Sequence, residues 1–130
     1  MDARTLARYS LGVVRLVNGV AALAAPQVVA RSLGADVRQP ALAHVMRMFG
    51  IRTVFIGAEL LLLKDPQRIA EALRTATVIH TSDTLSAATA GRCGTLPPRA
   101  AKIATTISAV NVLLSLLAQW PCGEARHGRC

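Results

Sequence analysis

Four long, mostly apolar stretches alternate with short polar segments along the chain, which predicts an all-α protein. The stretches cover residues 5–25, 41–63, 67–90 and 99–120. Each is about as long as the roughly 20 residues that a helix needs to cross the hydrocarbon core of a bilayer. Pro26 ends the first stretch, Pro66 is the expected first residue of the third helix, and the fourth stretch follows Pro97 and Pro98, as expected for a residue that is poorly tolerated inside helices. The pattern therefore predicts a four-helix transmembrane bundle.

Short signals between the stretches predict the connections. Residues 27–34 (QVVARSLG) form a short amphipathic segment, so we expect an interfacial helix that stops at Gly34. Residues 36–40 are predicted to form a loop, and Asp65 is the expected N-cap of the third long helix. Residues 1–123 are then one membrane-embedded domain, and residues 124–130 are a polar tail that we expect to be disordered.

The sequence evidence for a membrane span differs among the four stretches. The run 103–123 contains 21 residues without a charge and carries Trp120 near its end, where indole rings favour the membrane interface. The first stretch resembles a signal peptide, but Arg15 and Asn18 interrupt its apolar part, so a retained helix is the better interpretation. The third stretch is rich in Thr, Ser and Ala, which favours a position in the middle of the bundle rather than against lipid.

Composition supports the membrane interpretation. Apolar residues make up 52% of the chain and charged residues 17%, whereas a typical soluble domain has about 25% charged residues. A soluble helical bundle, the alternative, would have difficulty covering so much apolar surface. The net charge is +8, but the basic residues lie between the apolar segments, and only 3% of residues are aromatic, so we expect no nucleic-acid binding.

Location and chemistry follow from the same features. We expect a multi-pass protein of the inner (plasma) membrane, and the loop cations, seven on one side against six on the other, slightly favour cytoplasmic termini. Three cysteines without a CxxC motif indicate no metal site, and no phosphate-binding loop is present, so no cofactor is predicted.

Glycines recur at a spacing of seven residues in the first two long helices. Gly12 and Gly19 share one helix face, and so do Gly50 and Gly57. Small residues on one face let two helices approach closely in a bilayer. We therefore interpret these four glycines as packing positions.

Polar residues inside the predicted spans are the candidate functional residues. A charge at the centre of a membrane helix costs about 2.5–3.5 kcal/mol on insertion scales, so these groups are expected to turn toward one another. We predict that Asp83 pairs with Arg52 or Arg15, and that His80 and Asn111 complete the hydrogen bonds. The full set is Arg15, Asn18, Arg52, Glu59, His80, Asp83 and Asn111.

Several functions are compatible with this set. The leading hypothesis is a non-enzymatic structural, accessory or small-molecule-binding membrane protein, whose partners are the bilayer, a hydrophobic or lipid-like ligand, a second copy or another membrane protein. The polar residues would then fix helix register or form a pocket. A second hypothesis is a dimeric proton-coupled transporter that uses Glu59 as its coupling carboxylate. A third is a membrane-embedded isomerase or hydrolase with His80, Asp83 and Glu59 as acid and base on a lipid-like substrate.

Three segments resemble a known family of small bacterial membrane proteins. They are LGVVRLVNGVAALAAP in the first helix, RMFGIRTVFIGAELL in the second and IHTSDTLSAATAG in the third. Their pattern is similar to that of the domain of unknown function 4267, over about residues 11–117. The resemblance implies four spans and no established activity. The positions that match its recurring polar, glycine and proline residues are Arg15, Gly19, Pro26, Gly50, Arg52, Gly57 and Asp83.

Overall fold

The computed structural model describes residues 1–120, and within them the protein is entirely helical. Four long helices and one short helix follow one another along the chain. They are α1 (Ala3–Ala24), α2 (Pro26–Ser32), α3 (Pro40–Leu62), α4 (Pro66–Arg92) and α5 (Pro98–Gln119). The all-helical prediction is confirmed, and the predicted bounds agree with these to within about two residues. The tail predicted at residues 124–130 lies outside the described residues.

The predicted helix ends form for the expected reasons. The Asp65 carboxylate accepts a hydrogen bond from the backbone N–H of Gln67 at 3.0 Å and caps α4. Gly34, with φ +79°, ends the chain reversal after α2, and Gly94, with φ +69°, does the same after α4. After each of these helices, a bond from the residue beyond the glycine closes the turn: Ala35 to Ala30 and Thr95 to Ala90, both at 3.0 Å.

The long helices pack as two antiparallel pairs, α1 with α3 and α4 with α5, and α1 joins the pairs by packing on α5. Among neighbouring long helices, α3 and α4 touch least. We call the surface between them the α3–α4 seam. The third predicted span was therefore placed wrongly. Instead of filling the middle of the bundle, α4 packs closely on α5 and leaves an open groove of about 920 Å³ along residues that include Thr81, Ser82 and Ser86.

The glycines set the distance between α1 and α3. A Cβ atom added to Gly19 would lie 2.8 Å from the carbonyl oxygen of Gly50, and one added to Gly57 would lie 2.8 Å from the carbonyl oxygen of Gly12. Real Cβ atoms essentially never come so close, so only glycine permits this approach. The interpretation of these residues as packing glycines is confirmed. The two crossings also fix the antiparallel register in which Arg15 comes opposite Thr53.

The other pair has an equally definite register. Gly91 of α4 faces Ala101 of α5 so closely that an added Cβ would lie 2.6 Å from the Ala101 Cβ. Further along, the hydroxyl oxygens of Thr77 and Ser115 are 2.9 Å apart. In two antiparallel helices, residues that face each other at the same level have a constant sum of residue numbers, which is 192 in both of these contacts. The sum for His80 and Asn111 is 191, so these two residues lie at the same level to within one residue. Each half of the bundle thus brings polar residues to mid-length.

An apolar layer lies on one side of this middle level. Leu11 of α1, Leu60 of α3 and Leu73 of α4 are buried there together with small residues of α4 and α5. Two of the long helices, Ala3–Ala24 and Pro98–Gln119, are long and apolar enough to cross a membrane by length and composition. The helices α3 and α4 do not meet that criterion among the described residues. Of the predicted four-helix transmembrane bundle, the structure therefore confirms the all-helical fold and two candidate spans.

Candidate functional site: a buried polar centre

The middle of the bundle buries polar side chains from all four long helices. Arg15 of α1 is 1% exposed, and Thr53 of α3, His80 of α4 and Asn111 of α5 are each 0% exposed. We call these four residues the polar centre. Each lies near the midpoint of its own helix. The prediction that Arg15, His80 and Asn111 turn into the bundle describes their positions correctly.

Thr53 was missed by the sequence interpretation. Its hydroxyl accepts a hydrogen bond of 3.2 Å from Nη2 of Arg15 and is the group that anchors this guanidinium to α3. A signal was present in the sequence, because Thr53 stands three residues after Gly50 and four before Gly57. Those spacings place it on the glycine face that packs against α1.

A single aromatic ring lies near both arginines. The guanidinium carbons of Arg15 and Arg52 are each 5.7 Å from the centre of the Phe49 ring. Cations at this distance are attracted by the negative face of the ring. The two guanidinium groups repel each other, and Phe49 therefore helps to hold both of them in one region of the protein.

Arg52 and Asp83 form the outer boundary of this region, at the α3–α4 seam. Nη2 of Arg52 donates to both carboxylate oxygens of Asp83, at 3.2 Å and 3.1 Å. Their side chains are 45% and 26% exposed. Of the two alternatives for Asp83, the structure selects Arg52. Among the described residues Arg15 has no carboxylate within ion-pair distance, although the charges of Asp83 and Arg52 both act on it.

Hydrogen bonding in the polar centre is incomplete. Six buried side-chain atoms have no hydrogen-bond partner within the described part of the chain, and five of them belong to the polar centre: Nε of Arg15, both ring nitrogens of His80, and both side-chain polar atoms of Asn111. The sixth is Nε of Arg8, about two turns before Arg15 on α1. The predicted bonds from His80 and Asn111 to the ion pair are therefore not formed. Buried polar groups in proteins are nearly always hydrogen-bonded, so five such atoms at one level need an explanation.

A neighbouring polar cluster shows that this chain can satisfy such groups. Nε2 of Gln119 donates to the Thr77 hydroxyl at 2.8 Å and to the Ser115 carbonyl at 2.9 Å, and the Thr77 and Ser115 hydroxyls bond each other. This cluster links α4 to α5 about one turn from His80. Five of the six unpartnered buried atoms are thus concentrated in the polar centre, next to a cluster whose polar groups are bonded.

Two predicted site residues lie elsewhere. Asn18 is half-buried on α1, one turn beyond Arg15, and its side chain makes no hydrogen bond within residues 1–120. Glu59 is exposed and lines a cleft of about 280 Å³ with Arg68, Glu71 and Thr75. Thr75 is the residue of that cleft nearest to Asp83 along α4, and the rise over the eight positions from Thr75 to Asp83 is about 12 Å.

The position of Glu59 bears on the chemistry. An acid and base pair needs hydrogen-bond reach of the same reacting atoms. Since Glu59 lies in a separate cleft, the structure does not bring His80, Asp83 and Glu59 together as the isomerase or hydrolase hypothesis requires. Within residues 1–120 no three His, Cys, Asp or Glu side chains are grouped so that they could hold a metal ion.

Comparisons with known proteins add no assignment. No family model matches the chain, and no match is found among curated proteins or solved structures. The resemblance to the domain of unknown function 4267 stays a prediction.

The contribution of the Arg52–Asp83 pair is measurable by a double-mutant cycle of Arg52→Ala and Asp83→Ala. We expect a coupling energy of about 1–3 kcal/mol, because the pair is partly withdrawn from solvent and adjoins a buried cation. The free energy of unfolding would be measured for each variant.

The loop pair Arg38–Asp36 is a matched control for this cycle. Its nitrogen and oxygen are also 3.1 Å apart, but the side chains are 88% and 48% exposed. The side-chain and backbone hydrogen bonds from Arg38 hold the pKa of Asp36 below its usual range. We expect a smaller coupling energy there, because solvent screens both charges. Equal coupling energies for the two pairs would contradict the expectation that partial burial strengthens the Arg52–Asp83 pair.

Proposed function

We propose that the chain is a multi-pass membrane protein whose four long helices all cross the bilayer, and that its polar centre binds a small molecule. The composition of the buried core supports the proposed location in a membrane. Of the seven largest fully buried side chains, five are polar: Arg15, His80, Asn111, Thr53 and Ser115. A soluble protein of this size places its large apolar side chains inside.

The exposed surface supports the same proposal. Large apolar residues face outward at mid-length on every long helix, including Val17 at 62%, Phe55 at 65%, Val78 at 70% and Leu113 at 61% exposure. They form a belt around the bundle, while charged pairs and prolines mark its ends. Hydrocarbon is the solvent in which such a surface is stable. Trp120, which follows α5, would then lie at the interface.

This topology is testable by extraction and labelling. The three cysteines would be replaced by serine, and single cysteines would be placed at Thr95, at Val37 and at Lys64. Four spans predict that a membrane-impermeant thiol reagent labels Thr95→Cys and Val37→Cys from one side of intact cells or vesicles, and Lys64→Cys only from the other. The protein should stay in the membrane pellet after carbonate washing.

Other outcomes would exclude the proposed topology. Labelling of Val37→Cys, Lys64→Cys and Thr95→Cys from the same side would leave α3 and α4 outside the bilayer. Release by carbonate would show a soluble or peripheral protein.

The small-molecule part rests on the incomplete hydrogen bonding of the polar centre. A core that only fixed helix register would be expected to satisfy its own polar groups, as the Gln119 cluster does. The proposal of a binding or accessory protein is favoured over proton-coupled transport, because Glu59 lies away from the centre in its own exposed cleft.

A further inference from the structure

The polar centre and the Arg52–Asp83 pair at its boundary together carry an unbalanced charge. Arg15 and Arg52 contribute two positive charges, and Asp83 contributes one negative charge. With the imidazole of His80 counted as neutral, the centre has a net charge of +1. Asp83 already forms its ion pair with Arg52, and Arg15 has only the neutral Thr53 hydroxyl as a hydrogen-bond partner among the described residues.

An isolated buried cation is very unfavourable unless it is paired. A single bound negative charge would neutralise the excess positive charge and so remove this cost. A dianion such as a phosphate monoester would overcompensate and leave the centre with a net charge of −1. The charge balance therefore favours a monovalent anion.

The open hydrogen-bond positions match a carboxylate. Nε of Arg15, the side-chain amide nitrogen of Asn111 and one ring N–H of His80 are three donors without partners within residues 1–120. A carboxylate offers two oxygens with about four acceptor positions and binds guanidinium groups especially well. All three donors belong to buried side chains near the midpoints of their helices.

The α3–α4 seam provides access from the surroundings. It is the sparsest contact between neighbouring long helices, and the exposed part of Arg52 lies in it. Apolar side chains of α3, Met48 and Phe55, are exposed within one turn of Arg52 on the same helix. An anion that approached here would meet Arg52 first, and an attached acyl chain would contact apolar surface.

We propose that the polar centre is a binding site for a monovalent carboxylate, which accepts hydrogen bonds from Arg15, His80 and Asn111 and enters past Arg52 through the α3–α4 seam. This inference rests on the proposed function, since it specifies the molecule that the centre binds. The carboxylate can be the headgroup of an amphiphile such as a fatty acid, or a small soluble acid. The chemistry of recognition is the same in both cases.

The test measures ligand-dependent thermal stabilisation and equilibrium binding of the purified full-length protein in uncharged detergent. The probes are dodecanoate, its uncharged analogue dodecanol, and acetate. We expect dodecanoate or acetate to raise Tm saturably, and dodecanol to bind at least about tenfold more weakly than dodecanoate. Saturation by dodecanoate alone identifies a lipid-like source, and saturation by acetate identifies a soluble one.

Two variants and a control separate charge recognition from partitioning into detergent. Arg15→Met should weaken carboxylate binding about tenfold or more, whereas the same substitution at Arg31, which is exposed on α2, should leave it unchanged. Asp83→Asn should strengthen binding, because it raises the net positive charge. If Arg15→Met fails to fold, the Asp83→Asn variant still tests the proposal: stronger carboxylate binding supports it, and unchanged or weaker binding contradicts it.

Results that would overturn the inference differ from those that would overturn the proposed function. Equal binding of dodecanol and dodecanoate, unaffected by Arg15→Met, would remove the carboxylate but leave a small-molecule binder. Absence of saturable binding by all three probes would remove the carboxylate site, while the labelling experiment would still decide the membrane topology independently.

Discussion

Replacing Gly57 by alanine should destabilise the protein by about 1–3 kcal/mol, although alanine is the better helix former by about 1 kcal/mol. The new Cβ would lie 2.7 Å from the backbone nitrogen of Leu16 and 2.8 Å from the carbonyl oxygen of Gly12. Backbone atoms cannot rotate away as a flexible side chain can. The helices α1 and α3 would have to separate along their whole contact, and the Arg15–Thr53 hydrogen bond would lengthen with them.

The measurement is the free energy of unfolding, from titration of the purified protein in mild detergent with a denaturing one. Val45→Ile is the matched control, because it adds one methyl group to the same helix at an outward-facing position that is 56% exposed. It should change stability by less than about 0.5 kcal/mol. A Gly57→Ala protein as stable as the parent would show that α1 and α3 are not in such close contact.

The sequence predicts most of the helical framework because its signals are local. Pro26 and Pro66 stop or start helices through their own ring geometry, and Gly34 and Gly94 adopt backbone conformations that other residues rarely adopt. The glycine spacing likewise predicts a tight helix contact without reference to the partner helix. These features need no information about distant parts of the chain.

The candidate site could be predicted only in part, since it depends on contacts between helices. The spacing of Arg52 and Glu59 places both on one side of α3, but it does not show which neighbour each will meet. In the structure Arg52 reaches Asp83, whereas Glu59 faces the first turns of α4 beside Arg68. Membrane insertion costs indicate that Arg15 needs a partner, yet they do not distinguish Thr53 from Asp83 as that partner.

The position of α4 is a second example. Its Thr and Ser residues suggest an interior location if side-chain polarity alone decides. However, hydroxyls in a helix can donate to the carbonyl four residues earlier, as Thr77, Thr81 and Thr84 do at 2.7–2.8 Å. A hydroxyl that is satisfied within its own helix can face outward at little cost. Polarity therefore predicted the wrong surface for this helix.

Replacing Arg15 by methionine should stabilise the ligand-free protein, by about 1–4 kcal/mol. The substitution removes a buried charge that has no ion-pair partner within the described residues and fills a similar volume with an unbranched apolar side chain. The Thr53 hydroxyl, which loses its donor, can bond a carbonyl of its own helix in the manner of the α4 threonines. Arg31→Met, on the exposed surface of α2, should change stability by less than about 0.5 kcal/mol.

The sign of this effect distinguishes the two interpretations of the polar centre. If Arg15 only fixes the register of α1 against α3, its removal leaves a poorer fit and Arg15→Met unfolds more easily than the parent protein. If Arg15 serves to bind a ligand, its unpaired buried charge destabilises the ligand-free protein. The Arg15→Met variant then unfolds less easily than the parent protein and binds carboxylate more weakly. Stability lowered by more than about 1 kcal/mol in Arg15→Met would favour the structural role, because surface effects stay below that value.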